Sequence, residues 1–226
     1  MIYSTEGIVL KVIPYKEYDQ MISIFTPESG LIKVFHRGSR AQRKSGKGAC
    51  IPLTKVEVAY REGRGDLFSS YGVSVLESFS SLRKNYTFLE VGCDLLCAIL
   101  DSQLIGRRAP TLYALLFAYL QRIPQTENPW ILAASFRLKL LKHDGLMRFP
   151  WVCCECGNML QKEAFICGGE SRCEDHRLLG SQYFDSIELY AVYRLAESRS
   201  YHDICLVDLS AELRHKIASF FKSLFF

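Results

Sequence analysis

Much is missing from this 226-residue chain. No uninterrupted apolar stretch approaches the roughly 18 residues of a membrane span, so no membrane-crossing segment is expected. The start, MIYSTEGIVLKVI, has no basic leader, no long apolar core and no small-residue cleavage site, so no signal peptide is expected either. There is no His-Glu-x-x-His, no nucleophile elbow and no dinucleotide-binding glycine pattern. Ser45-Gly46-Lys47-Gly48 approaches a phosphate-binding loop, but Ala41 stands where its first glycine belongs and Gly48 where Ser or Thr would hold magnesium. The acidic residues are dispersed, unlike the cluster of a magnesium-dependent nuclease. These absences argue against an enzyme. No internal repeat or low-complexity segment occurs.

What is present suits a folded protein. Hydrophobic residues make up 49% of the chain and charged residues 23%, enough for a real core and unlike a disordered segment. Nine cysteines without a secretory signal fit a reducing cytosol and a metal better than disulfides, so a cytoplasmic location is expected. Charge is unevenly spread. The first 150 residues carry 20 basic against 13 acidic side chains, and the remainder 8 against 11. The front of the molecule therefore favours an anionic partner.

Residues 1–80 have the texture of strands. Glu6–Ile13, Met21–Thr26, Leu31–His36, Lys55–Arg61 and Leu67–Leu76 are β-rich runs, and the turn Pro27-Glu28-Ser29-Gly30 joins the second to the third. Five strands without a convincing helix suit a small closed barrel. An OB-fold has this economy and often binds single-stranded nucleic acid. A barrel of the SH3 type fits the pattern almost as well.

Between the third and fourth runs no acidic residue occurs from Leu31 to Val56, while Lys33, Arg37, Arg40, Arg43, Lys44 and Lys47 accumulate among glycines and serines. Such a segment can follow a phosphate backbone. Phe35, Tyr60 and Phe68 lie nearby as rings that stack on bases, and cations plus rings are what sequence-tolerant single-strand binding needs. The plain alternative is a solvated surface loop.

From residue 81 to 226 the periodicity is helical. Helices are expected over Tyr86–Gln103, from Pro110, over Trp130–His143, from the capping box Asp185-x-x-Glu188 to about Arg199, and from Ser210 to Leu224. Cys93 and Cys97 fall on the first helix's apolar face with Leu89, Leu96 and Leu100, and so read as core. Arg137, Lys139 and Lys142 make a polar side of the third helix that can also seat an acidic, hydrophobic-ended peptide. Phe220, Phe221, Leu224, Phe225 and Phe226 leave an apolar end that must dock or meet a partner.

An insert at about 150–180 interrupts this series. Cys153-x-x-Cys156, sixteen intervening residues and Cys173-x-x-His176 have the spacing of a structural zinc ribbon or knuckle. Gly168-Gly169, just before the second pair, supplies backbone freedom. Cys153, Cys156, Cys173 and His176 are the expected ligands of one zinc ion; Cys154 or Cys167 can substitute for one of them. Four protein ligands close the site and make it structural. Five acidic against two basic residues in this stretch point to a staple for the helical region rather than a nucleic-acid contact. The expected architecture is α+β and multidomain: a five-stranded OB-fold barrel over 1–80, then a helical domain over 81–226 with the zinc-binding insert.

Three pieces of the chain together resemble the RecO family of bacterial recombination mediators: EGIVLK with YDQMISIFTPESGL, Arg37-Gly38-Ser39-Arg40, and FRLKLLKHDG running into the cysteine insert. Family members that keep the metal have two Cys-x-x-Cys pairs around a Gly-Gly step; here His176 replaces the last cysteine. The resemblance implies a DNA-repair protein that binds single- and double-stranded DNA and anneals complementary strands. It also implies that, with RecR, the protein helps load RecA on strands coated by single-strand-binding protein, without hydrolysing nucleotide. It implies too that the helical domain contacts the acidic tail of single-strand-binding protein. The rival reading is a zinc-stabilised protein–protein adaptor whose basic loop meets an acidic protein.

Overall fold

The computed structural model describes residues 2–37, 50–61, 67–147 and 151–225, which fall into two compact units, Met1–Gln125 and Thr126–Phe226. In the first, β1 (Ile2–Tyr15), β2 (Asp19–Thr26), β3 (Gly30–His36), β4 (Thr54–Arg61) and β5 (Leu67–Glu77) close a barrel in the order β1-β2-β3-β5-β4. All neighbours are antiparallel except β3 and β5. This is the five-stranded Greek-key arrangement of an OB-fold. Alternation builds it: Val9, Ile22, Ile24, Ile32, Val34, Val56, Val58 and Tyr60 point inward and form the core, while the residues between them face out.

β1 is longer than its apolar run because one strand serves two neighbours. Ile2–Val9 pairs with β4 and Ile8–Tyr15 with β2, with an irregularity between Val9 and Lys11 where the strand bends from one to the other. The β2–β3 turn is held by Thr26, whose hydroxyl donates to the Gly30 carbonyl at 3.0 Å and accepts from the Ser29 amide at 3.1 Å. Gly30 has φ +59°, and a Cβ there would stand 1.9 Å from the Arg107 carbonyl oxygen, so only glycine fits.

Helices α1 (Tyr86–Ser102) and α2 (Pro110–Arg122) belong to the same unit as the barrel. Asn85 caps α1 by accepting from the amides of Thr87 and Phe88. The Tyr113 hydroxyl on α2 donates to Glu6 at 3.3 Å, and its ring packs 6.2 Å from Phe25. The face that α1 buries differs from the expected one. Val91, Gly92, Leu95, Leu96, Ala98 and Ile99 are buried, whereas Cys93 and Cys97 are exposed. Gly92 decides the rotation: a Cβ there would already lie 3.2 Å from the Leu53 methyls, so this side approaches closest and the cysteines turn outward.

The second unit is organised around α3 (Trp130–His143), whose residues from Ile131 to Leu138 are all buried, as are Leu140 and Leu141. A helix buried along nearly its whole length is a central helix, and this one packs on α4 (Ser186–Glu197) and α6 (Ala211–Ser223). Ser135 donates to the Leu195 carbonyl at 2.6 Å. α4 opens with the expected capping box, Asp185 and Glu188 bonding each other's backbone amides. Short α5 (Tyr201–Cys205), capped by Ser200, spans too few residues to show periodicity in sequence. Phe220 and Phe221 are buried and Phe225 packs 5.0 Å from Phe221, so these residues of the apolar end dock within their own unit, while Phe226 lies outside the described residues. β6 (Glu163–Cys167), β7 (Glu170–Arg172) and β8 (Gln182–Asp185) form an antiparallel sheet in the order β7-β6-β8. No helix among the described residues is long and apolar enough to cross a membrane.

Candidate nucleic-acid interface and metal centre

Period-two alternation turns every second side chain of β1, β2 and β3 out of the barrel. Lys33 is exposed on β3 between the inward Ile32 and Val34, and Arg37 is exposed just past the strand's end. Arg40, Arg43, Lys44 and Lys47 lie outside the described residues. Register sets Lys11, Ser23 and Lys33 side by side across the three strands. These three, with Cys93, Cys97 and Leu100 of α1, line a groove of about 1030 Å³ within the first unit.

The rings do not all stand where the sequence suggests. Tyr60 is a core residue, 5% exposed, and half-buried Phe68 packs against it edge-on at 5.1 Å. Neither offers a face to a base. Phe35 does lie on the outer surface, and three exposed rings that sequence reasoning missed join it: Tyr15, Tyr18 and Tyr71. The alternation Lys11, Ile13, Tyr15 would have revealed the first. His36 points the other way from Phe35; its Nδ1 shares a 2.5 Å hydrogen bond with the Ser70 hydroxyl. Burial pushes its imidazole below the ordinary range, and nearby Asp19 partly offsets this.

In the second unit two tight turns converge. Cys153 opens the first: its amide donates to the Asn158 carbonyl and its carbonyl accepts from the Gly157 amide, both at 2.9 Å, with Gly157 at φ +73°. A short 3-10 turn over Glu174–His176, in which the His176 amide donates to the Cys173 carbonyl, forms the second. Gly168 and Gly169, both at positive φ, reverse the chain between β6 and β7 and carry it to the second turn. The ligand atoms of Cys153, Cys156, Cys173 and His176 all lie within 4.8 Å of one another. Cys156 and Cys173 sulfurs are 3.9 Å apart, and His176 Nδ1 is 3.2 Å from Cys173 and 3.7 Å from Cys153.

Sulfur and nitrogen ligands around one tetrahedral zinc stand about 3.5–3.8 Å from one another, so the donor set fits such an ion. Burial alone would raise the Cys153 thiol, but bonds from the backbone of Cys156, Cys173 and Glu155 outweigh it and bring the group down to about 6. Amides aimed at sulfur are the second layer a thiolate ligand requires. Cys154 is outside the group, its sulfur 3.8 Å from a Glu170 oxygen, and half-buried Cys167 ends β6. Arg172 ties the two halves together, 2.8 Å from Glu170 and 3.5 Å from Glu155.

The basic side of α3 is only in part the wet face its sequence suggests: Lys142 is exposed and Lys139 half-buried. Arg137 is buried, its guanidinium 5.9 Å from the Phe221 ring. Lys139 donates to the Ser198 carbonyl, and Lys142 meets both Glu197 oxygens at 2.6 Å.

Comparison with known proteins agrees over nearly the whole chain. Residues 1–79 match the family model for the Recombination protein O N terminal, and residues 85–220 that for the Recombination protein O C terminal. The DNA repair protein RecO of Chlamydia trachomatis serovar L2 is 23% identical over 219 residues, covering 96% of this chain and 90% of that protein. The protein of the same name from Chlamydia muridarum is 24% identical over 219 residues, covering 96% and 93%. That of Anaeromyxobacter sp. (strain K) is 32% identical over 154 residues, covering 67% and 60%.

Proposed function

From a chain that belongs to the Recombination protein O (RecO) family of DNA repair proteins, we propose a non-enzymatic recombination mediator that binds DNA through its barrel. The observation that carries this reading is the outer surface of β1–β3, where Lys11 and Lys33 flank Ser23 in one row across the strands and exposed Arg37 follows just past the end of β3. Cations there neutralise phosphates, and Arg40, Arg43, Lys44 and Lys47 follow in the sequence with the same charge. Neutralising two strands at once lowers their mutual repulsion while bases pair, which is annealing without nucleotide hydrolysis. Single- and double-stranded DNA both supply the phosphates.

The partners follow from the family: RecR, and through it RecA, on strands coated by single-strand-binding protein. The acidic tail of single-strand-binding protein is assigned to the Arg137, Lys139 and Lys142 side of α3. With Arg137 buried, direct contact falls to the two lysines, and tail carboxylates would exchange with Glu197 for Lys142. Cys153, Cys156, Cys173 and His176 would hold one structural zinc, which supplies cross-linking between the two turns and no chemistry.

A strand-annealing assay, with gel shifts at low and moderate salt, tests the reading. Acceleration of annealing and salt-sensitive shifts are expected. A folded protein that neither shifts DNA nor anneals it would instead be a zinc-stabilised adaptor.

A further inference from the structure

The outer face of the barrel carries rings as well as charge, in an order that the register fixes. Lys11, Ser23 and Lys33 form one row across β1, β2 and β3, and Ile13, Met21 and Phe35 form the next. Tyr15 follows on β1, edge-on to Phe35 with centroids 5.4 Å apart. Adjacent rows are two residues apart along a strand, about 6.7 Å.

Each ring in this series has a cation beside it. The Arg37 guanidinium lies 5.8 Å from the Phe35 centroid, and the Lys16 ammonium 5.6 Å from that of Tyr15. Register continues the Phe35 row through Ser69 of β5 to Arg61 of β4, whose guanidinium lies 5.7 Å from the Tyr71 ring. These rings are not core residues: Tyr15 is 43% exposed and Tyr71 58%. Tyr18, 57% exposed, stands in the β1–β2 turn.

Charge and rings select different partners. Phosphates lie on the outside of both single strands and duplexes, so cations alone bind either. A base offers its flat face only when it has left the duplex stack, and aromatic side chains then take it up regardless of base identity. Resting on the DNA-binding reading above, we propose that Tyr15, Phe35 and Tyr71 stack on the bases of unpaired DNA while Lys33, Arg37 and Arg61 hold its phosphates. This barrel face thereby prefers single strands to duplex.

The test compares an oligo(dT) with a hairpin duplex by fluorescence anisotropy across a salt series. The Tyr15→Ala/Phe35→Ala protein should lose roughly tenfold or more in affinity for oligo(dT), keep its duplex affinity, and keep its salt slope. The Lys33→Glu/Arg37→Glu protein should lose affinity for both and show a shallower slope. Phe35→Trp retains a ring and should restore single-strand preference. Its fluorescence can be read over that of the two native tryptophans, Trp130 and Trp151, which both lie in the second unit; quenching is expected with oligo(dT) and not with duplex. Equal losses for both DNAs in the ring variant, or none, would overturn stacking while leaving charge-based binding intact. If the wild-type protein binds neither DNA, the DNA-binding reading itself falls.

Discussion

The sulfurs of Cys156 and Cys173 stand 3.9 Å apart although sixteen residues separate them in the chain. Neither is buried, so apolar packing does not hold them together, and with Cys153 and His176 they form a group that could hold one metal ion. Purified protein should carry one zinc per chain by elemental analysis. Cys156→Ser or Cys173→Ser should lose the metal and lower the thermal midpoint, because a structural ion's binding energy is folding energy. Oligo(dT) affinity of any remaining folded protein should stay near wild type. Metal-free protein with an unchanged midpoint would show that the turns form without zinc.

Gly30→Ala should be severely disruptive. The added Cβ would meet the Arg107 carbonyl at 1.9 Å with the backbone at φ +59°, and both the β2–β3 turn and the segment before α2 would have to move. A loss above about 3 kcal/mol is expected, as for other strained backbone sites in a packed unit. Gly106→Ala is the control, since nothing lies within 4 Å of a Cβ there. Urea melts of the two variants decide it; similar midpoints would refute the clash.

Features governed by local rules were legible in the sequence. Strand alternation gave the barrel, the Cys-x-x-Cys and Cys-x-x-His spacing gave the metal group, and Asp185 and Ser210 gave helix starts. What failed was set by distant contacts. Cys93 and Cys97 share a helical face with leucines, but the close approach of Gly92 to Leu53 turns them outward. Tyr60 is the exception: it shares the alternating face of Val56 and Val58, so the strand's own pattern already points it into the barrel rather than toward a base. Arg137 looks solvated beside two lysines until α6 lays Phe221 over it. For the two cysteines and Arg137, chain partners remote in sequence decide the outcome.

Asp185→Ala should cost the second unit about 1 kcal/mol, the usual worth of an N-cap. The Asp185 carboxylate accepts from the amides of Ile187 and Glu188 at 2.8 and 2.9 Å, and the Glu188 carboxylate returns a bond to the Asp185 amide. Glu188 is also held by Lys216 of α6 at 2.7 Å, so the cap orients a residue that joins two helices. Asp185→Asn and Asp185→Ser should recover most of the loss because each retains an acceptor. A chemical-denaturation series separates the variants; an Asn variant as unstable as Ala would mean that charge, not capping, does the work.

His36 should make the barrel's stability depend on pH. The folded protein favours the neutral ring, since burial lowers its proton affinity more than Asp19 raises it. The unfolded chain, with an ordinary imidazole, binds protons more readily, so stability rises with pH wherever only the unfolded state is protonated. The contribution is complete above about pH 6.5 and is lost as pH falls through that value toward the lower folded pKa. His36→Gln keeps a hydrogen-bonding group beside Ser70 but does not titrate. Between about pH 7 and pH 5 its urea midpoint should therefore fall less than that of the wild type. Parallel curves for the two proteins would place the pH dependence on other groups and leave the 2.5 Å contact with Ser70 as a packing feature only.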